Sequence, residues 1–356
     1  MLGPLVFPIW LRLSLVLPLF ALNLWVLRQL LLPLAPFPGL FVTAALIAFL
    51  LDIPSRWINQ RLGLPRWLAI GVVAVLTVGL LVLAGVALVP RLIDQLGQLI
   101  NELPGWLVAA EGWVTRLQEW ASGRGLPSEF GDFSSDLLTR LSGVATQLSQ
   151  QLLGILGATL GITINTLLVL VLAVFLLLGG DPITAGLARW LPDQWRELVV
   201  DTITGTFRGY FAGQVLLALI LSGGQIAVFT LLDIPFGVLF AVLIGFTTLI
   251  PYASALTIVG VSALLALQDP RMGLEILAAA IAVGQIVDQV IQPRLMGSIV
   301  GLQPAWLLIA LPIGARTGAL FGFGQLLGLL LAVPVASCIK TLVDAWRELP
   351  FDPAES

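Results

Sequence analysis

The sequence predicts an all-α polytopic membrane protein. Three observations predict it. Charged residues make up only 10% of the 356, against 58% apolar, and mean hydropathy is +1.04; a soluble domain carries about a quarter charged residues. The few charges are gathered, so the chain between them runs in charge-free intervals, many of them about the length of a membrane span. Arginines in the short loops at 52–66 and 181–208 flank a stretch, 91–140, whose four arginines are outnumbered by seven acids, a pattern that orients a chain in a membrane. Net charge is −3, histidine is absent and Cys338 is the one cysteine. These counts exclude a basic face for phosphates, the Ser-His-Asp and Cys-His triads, an HExxH zinc site and an intrachain disulfide. No metal, cofactor or nucleic-acid partner is expected, and the expected solvent is lipid.

The elements follow in order. Leu13 to Leu27 and Gln29 to Leu51 read as two helices joined near Pro33, Pro36 and Pro38, which together break any helix there. Trp67 to Pro90 is the third span and closes an N-terminal three-helix membrane region, 1–90. The N-terminal stretch has one basic residue, Arg12, and lacks a clear small-residue cleavage site, so it does not read as a signal peptide. Arg56, Arg61 and Arg66 outnumber Asp52 in the loop between the second and third intervals and set it in the cytoplasm, with the N-terminus. Arg189, Arg196 and Arg208 return the chain there, and Lys340 and Arg347 give a cytoplasmic C-terminus. Trp57, Trp67, Trp190, Trp195 and Trp346 lie beside span ends, where indole favours the interface.

Residues 91–151 change to an amphipathic helical pattern expected outside the membrane. Leu92, Leu96, Leu99 and Leu103 recur at helical spacing, and Trp106, Trp113 and Trp120 are spaced to share a face. Ser122 to Pro127 interrupts the pattern, which resumes from Asp136 to Leu152. Two readings stay open: an oligomer seam or lid, and helices lying in the headgroup layer.

The C-terminal membrane region, 152–345, precedes a short tail, 346–356, and brings the expected total to about six to eight transmembrane helices. Ile234 to Gln268 is free of charge but too long for one upright helix, and Pro251 lies near its middle. It reads as a kinked helix or as a re-entrant hairpin. Pro304 to Ile339 repeats the pattern with Arg316 as its one charge, and a weak internal repeat sets Pro251 opposite Pro334. Paired broken segments point to a transporter's binding site. Two hairpins entering from opposite sides would leave Arg294 in the cytoplasm, the arrangement that the distribution of positive charge favours.

Several residues are candidates for a solute or ion path. Thr247, Thr248, Pro251, Tyr252 and Ser254 bring hydroxyls and freed carbonyls that suit a polar ligand or Na⁺. The same hydroxyls suit repair of the backbone bonds that a proline breaks. Asp288, followed by Gln289, is the only acid between Glu275 and Asp344. An intramembrane carboxylate is a functional candidate by default, here as a proton or cation carrier. Pairing with Arg294 is its structural alternative. Tyr210 and Gln214 share a helix face, and Arg208 either joins them at a ligand or snorkels to the interface. Arg294 anchors a hairpin end or holds an anionic group. Gly322, Gly324 and Gly328 read as close helix approach, and Gln285, Gln289 and Gln325 as interhelical glue.

Three blocks carry a family resemblance: LDIPFGVLFAVLIGFTTLIPYAS at 232–254, QVIQPRLMGSIVGLQP at 289–304 and FGFGQLLGLLLAVPVASCIKTL at 321–342. With RGYFAGQ at 208–214, they make the chain similar to the autoinducer-2 exporter family of bacterial membrane transporters. The resemblance implies a multi-pass inner-membrane protein that exports a small solute such as the quorum-sensing furanone. It also implies sodium–proton antiport as the nearby alternative, a homo-oligomer, a pentamer by the family pattern, and an elevator-like movement of one half. The chain departs from the family pattern at Ser254, Thr248 and Ala212, where the family commonly has glycine, an amide or acid, and a basic residue. A P-loop motif is absent from the sequence, so the expected energy source is an ion gradient or the solute's own gradient. Alternating access, an oligomeric channel and a membrane scaffold acting through 91–151 are the competing functions, and an enzyme is not expected.

Overall fold

The computed structural model describes residues 37–124, 159–296 and 304–348, with scattered residues at 18–30 and 136–154. The first part of the first expected span, 13–17, residues 125–127 of the break after Ser122, about half of the second amphipathic stretch, residues 297–303 and the tail beyond 348 lie outside the described residues.

Helix α1 (Phe37–Leu62) begins at the proline-rich junction, with Pro38 in the first turn, where its missing N–H leaves nothing unpaired. Helix α2 (Arg66–Ser122) runs 57 residues without interruption, through Pro90 and Pro104. The third span and the first amphipathic stretch are therefore one rod of about 85 Å, not two elements divided at Pro90. Helix α3 (Thr159–Ala188) and the 39-residue α4 (Asp193–Leu231) follow. Then come α5 (Gly237–Thr247), α6 (Ala253–Gln268) and α7 (Pro270–Ile286), which continues through a π turn, Val287–Ile291, into Gln292–Met296. Helices α8 (Pro304–Leu320) and α9 (Gln325–Glu348) complete the fold. Among the described residues, five helices are long and apolar enough to cross a membrane.

Side-chain levels along α4 decide how α5 and α6 run. Gly237 lies against Phe229, Gly245 against Ser222 and Ala218, and Thr248 at Gln214, so α5 runs antiparallel to α4. Helix α6 packs on the start of α7, where Gly273 meets Ser262 and Ala266. Gln225 Nε2 donates to the Ala280 carbonyl at 3.0 Å, which sets Gly273 two turns beyond Gln225, towards the C-terminal end of α4. Both ends of the α5–α6 pair thus lie at one end of α4. The pair is a re-entrant hairpin, not a kinked span. Its tip, Thr248 to Tyr252, is turned by Pro251 and by Tyr252 at φ 66°.

Helices α8 and α9 form a second hairpin from the opposite end, with Cys338 Sγ 3.8 Å from the Thr202 carbonyl near the start of α4. Gly314, Gly318 and Gly328 bring its arms into backbone contact: a Cβ on Gly328 would lie 2.0 Å from the Gly314 oxygen. Gly322 and Gly324, at φ 76° and 91°, make its turn. The expected match of Pro251 with Pro334 is corrected here. Pro334 lies inside α9, and the counterpart of the first tip is the glycine turn at 321–324. Two chemistries make the two breaks, so aligning prolines misplaces the second.

Two cores result. One joins α1, the start of α2 and α3 through Ala44, Ala48, Ile70, Val73 and Ala173. The other gathers α4 to α7, α9, the distal part of α2 and Leu46 of α1, around Phe229, Phe240, Ile244, Leu265, Ile276 and Val333. Leu99, Leu103 and Trp106 belong to the second core, Trp106 lies edge-on to Phe236 at 5.8 Å, and Gln95 Oε1 accepts from the Leu239 N–H at 2.8 Å. This part of the amphipathic stretch therefore clamps the first hairpin, while Trp113 and Trp120 stay exposed under Arg116 and Arg124.

Candidate functional site

The tip of the first hairpin closes one side of a cavity of 510 Å³. Tyr210, Gln214 and Leu217 line it from α4, Thr248, Ile250, Pro251 and Tyr252 from the tip, Ser254 and Ala255 from the start of α6, and Val287, Asp288, Gln292 and Pro293 from α7 and its π turn. Leu307 of α8 and Val333 of α9 complete it, so both hairpins contribute.

The geometry of each group follows from its element. Gln214 is buried and its Nε2 donates to the Thr248 carbonyl, which the break at Pro251 leaves without a helical partner. The amide fixes the tip to α4 as a helix bond would. The hydroxyls of Thr247 and Thr248 both donate back along α5 to the Ile244 carbonyl at 3.0 Å, which also accepts the Thr248 N–H, so they do not take up a carbonyl freed by Pro251. Tyr210 is 2% exposed, borders the cavity, and its hydroxyl has no hydrogen-bond partner. A buried donor left unpaired by the protein is uncommon and is free to donate into the cavity it borders. Asp288 stands in the π turn, a distortion frequent at functional sites. Among the described residues it makes no ion pair, so pairing with Arg294 is not found. The lining holds one carboxylate and no lysine or arginine.

Of the sequence candidates, the structure brings Tyr210, Gln214, Thr248, Pro251, Tyr252, Ser254 and Asp288 together. Thr247 does not line the cavity. Gln289 bonds Gln285 on its own helix, and Gln325 is exposed, so the interhelical expectation for these glutamines fails. Gln225 takes that role instead, through Ala280. Arg294 is exposed and outside the lining. Arg208 neither reaches the cavity nor simply snorkels: its Nη2 donates to Asp52 of α1. Sequence reasoning missed Gln292, one turn past Asp288 and directly before Pro293, a spacing that would have found it. Leu307 and Val333 carry no such signal, because only the fold brings the second hairpin to the cavity.

Opposed hairpins meeting at a polar cavity within a helical membrane bundle define a transporter-like fold, with irregular backbone confined to a protein-lined site. The family described as "AI-2E family transporter" matches residues 13–348, and the chain belongs to it. "Putative transport protein sll0060" of Synechocystis sp. is 31% identical over 337 residues, covering 94% of this chain and 96% of its own. "Putative transport protein sll0063" of the same organism is 36% identical over 329 residues, covering 89% and 81%. A "Sodium-lithium/proton antiporter" of Halobacillus andaensis is 24% identical over 324 residues, covering 86% and 90%. The chain is thus a multi-pass membrane protein of a transporter family.

Proposed function

We propose that this protein is a secondary carrier that exports a small polar solute by alternating access, and that the cavity at the first hairpin tip is its solute site. One observation carries the reading: the cavity holds an unpartnered tyrosine hydroxyl and an unpaired carboxylate, both at the meeting point of the two hairpins. Such groups recognise hydroxyls and other donors, and a site with a carboxylate and no cation disfavours anions. An autoinducer-2-like furanone, small and rich in hydroxyls, fits that chemistry. The positive loops support an inner-membrane protein with both termini in the cytoplasm, and the family pattern supports a homo-oligomer, with a pentamer as the expected number.

A second reading is cation–proton exchange with Asp288 as carrier. The unpaired state of Asp288 favours it, and so does the name of the Halobacillus relative. An oligomeric channel and a scaffold acting through 91–151 remain as contrasts that the assay separates. The test is counterflow of the furanone in proteoliposomes. A carrier gives saturable uptake that rises when unlabelled solute is loaded inside. Uptake that neither saturates nor responds to internal solute identifies a channel, and absence of any flux, of solute or cation, leaves the scaffold.

A further inference from the structure

We propose that Asp52 and Arg208 are a latch between the two packed bodies of the protein, and that Arg56 allows the latch to open. The inference rests on the carrier reading, since alternating access requires one body to move against the other. Asp52 belongs to α1, which buries Ala44, Ala48, Leu51 and Ile58 in the core shared with α2 and α3 and Leu46 in the other; Arg208 belongs to α4, in that other core, so α1 lies at the seam between them. Among the described residues, the pairs Arg56–Asp52, Arg140–Asp136, Arg196–Asp193 and Lys340–Asp344 each join side chains three or four positions apart in the chain. Arg208–Asp52 joins two helices, beside the Phe49–Phe207 ring contact at 6.1 Å that also spans the seam. Arg208 is two residues from Tyr210, so movement at the seam reaches the cavity wall directly.

The details of the pair suit release. Asp52 is 5% exposed, and its Oδ2 receives both Arg208 Nη2 and Arg56 Nε, the latter at 2.8 Å. Asp52 Oδ1 and Arg208 Nε are buried and unpartnered, so the pair leaves each group only partly satisfied. A buried carboxylate that loses its sole partner is strongly disfavoured. Here Arg56, half exposed and one turn along α1, stays on Asp52 when Arg208 departs. The long stem of Arg208 lets its guanidinium seek the polar interface. The carboxylate thus has one permanent partner and one that can leave.

This arrangement gives opposite signs to two substitutions. Asp52→Asn weakens the closed latch. Arg56→Gln leaves Asp52 dependent on Arg208 alone and tightens it. The readout is a single thiol in the cavity, Ser254→Cys with Cys338→Ala, in full-length protein reconstituted in liposomes. A membrane-impermeant maleimide is applied to one face at a time. In the parent the thiol reacts from both faces, at unequal rates. Asp52→Asn raises the slower rate about three- to tenfold and Arg56→Gln lowers it by a similar factor, the range of mutational effects on coupled equilibria. Arg208→Lys, which keeps the charge and loses the planar fork, follows Asp52→Asn and serves if that variant does not fold. Unchanged rates, or shifts of the same sign in Asp52→Asn and Arg56→Gln, overturn the latch and leave the carrier reading intact. A parent thiol that reacts from one face alone, or from neither, overturns the carrier reading and the latch with it.

Discussion

Tyr210→Phe separates what the cavity does from what holds it together. The substitution removes one oxygen and leaves the ring, its edge contact with Phe211 at 5.3 Å and the helix unchanged. That oxygen is buried without a hydrogen-bond partner, so in the unliganded protein it contributes a desolvation penalty rather than a bond. An unsatisfied buried polar group costs about 1–3 kcal/mol. Removing it stabilises the unliganded protein by about 1 kcal/mol, which raises the melting temperature in detergent by about 1–3 °C. Transport moves the other way. Loss of one hydrogen bond to a bound solute weakens binding by about 0.5–1.5 kcal/mol, or roughly two- to tenfold in half-saturating concentration. The assays are thermal unfolding followed by size-exclusion chromatography, and solute uptake on the same preparation. A variant that melts lower than wild type and transports normally refutes the reasoning, because the hydroxyl is then a structural donor.

Four further outcomes follow from the packing. Gly328→Ala drives a methyl into the Gly314 carbonyl of the facing helix, where backbone cannot yield, and destabilises by about 1–3 kcal/mol or more. Gly71→Ala, which meets open space, holds or gains about 0.5–1 kcal/mol, and thermal unfolding compares the two. Trp106→Ala costs about 3–5 kcal/mol by emptying the contact between α2 and the first hairpin. Trp120→Ala, on an exposed turn of the same helix, stays within about 0.5 kcal/mol, and equal effects from the two tryptophans would contradict the clamp.

Much of the membrane architecture was legible in charge placement and proline position. The 35-residue interval around Pro251 announced a break, since no upright helix is that long and Pro251 removes a donor at its centre. Charge also favoured opposed hairpins, through Arg294. Composition could not show that the second turn is made by Gly322 and Gly324, because glycines in a membrane helix serve close packing as readily as turns. The continuity of α2 through Pro90 and Pro104 was hidden for a similar reason: a proline in a helix predicts a boundary more often than a bend. Within the site, residues near the break were findable from sequence, since Tyr210–Gln214 and Asp288 stood out as polar groups in apolar surroundings. Arg208 was misread because its partner, Asp52, lies 156 residues away in the chain. Val333 and Leu307 look like any other apolar helix residues until the second hairpin is folded against α4.

The most direct test of the account is flux in proteoliposomes, wild type against Asp288→Asn, under imposed pH and Na⁺ gradients. Furanone movement and cation–proton exchange are both followed. The account predicts solute flux driven by one of the gradients in wild type and its loss in Asp288→Asn, with the variant folded. Solute moving equally well in both proteins, with no gradient applied, would contradict it.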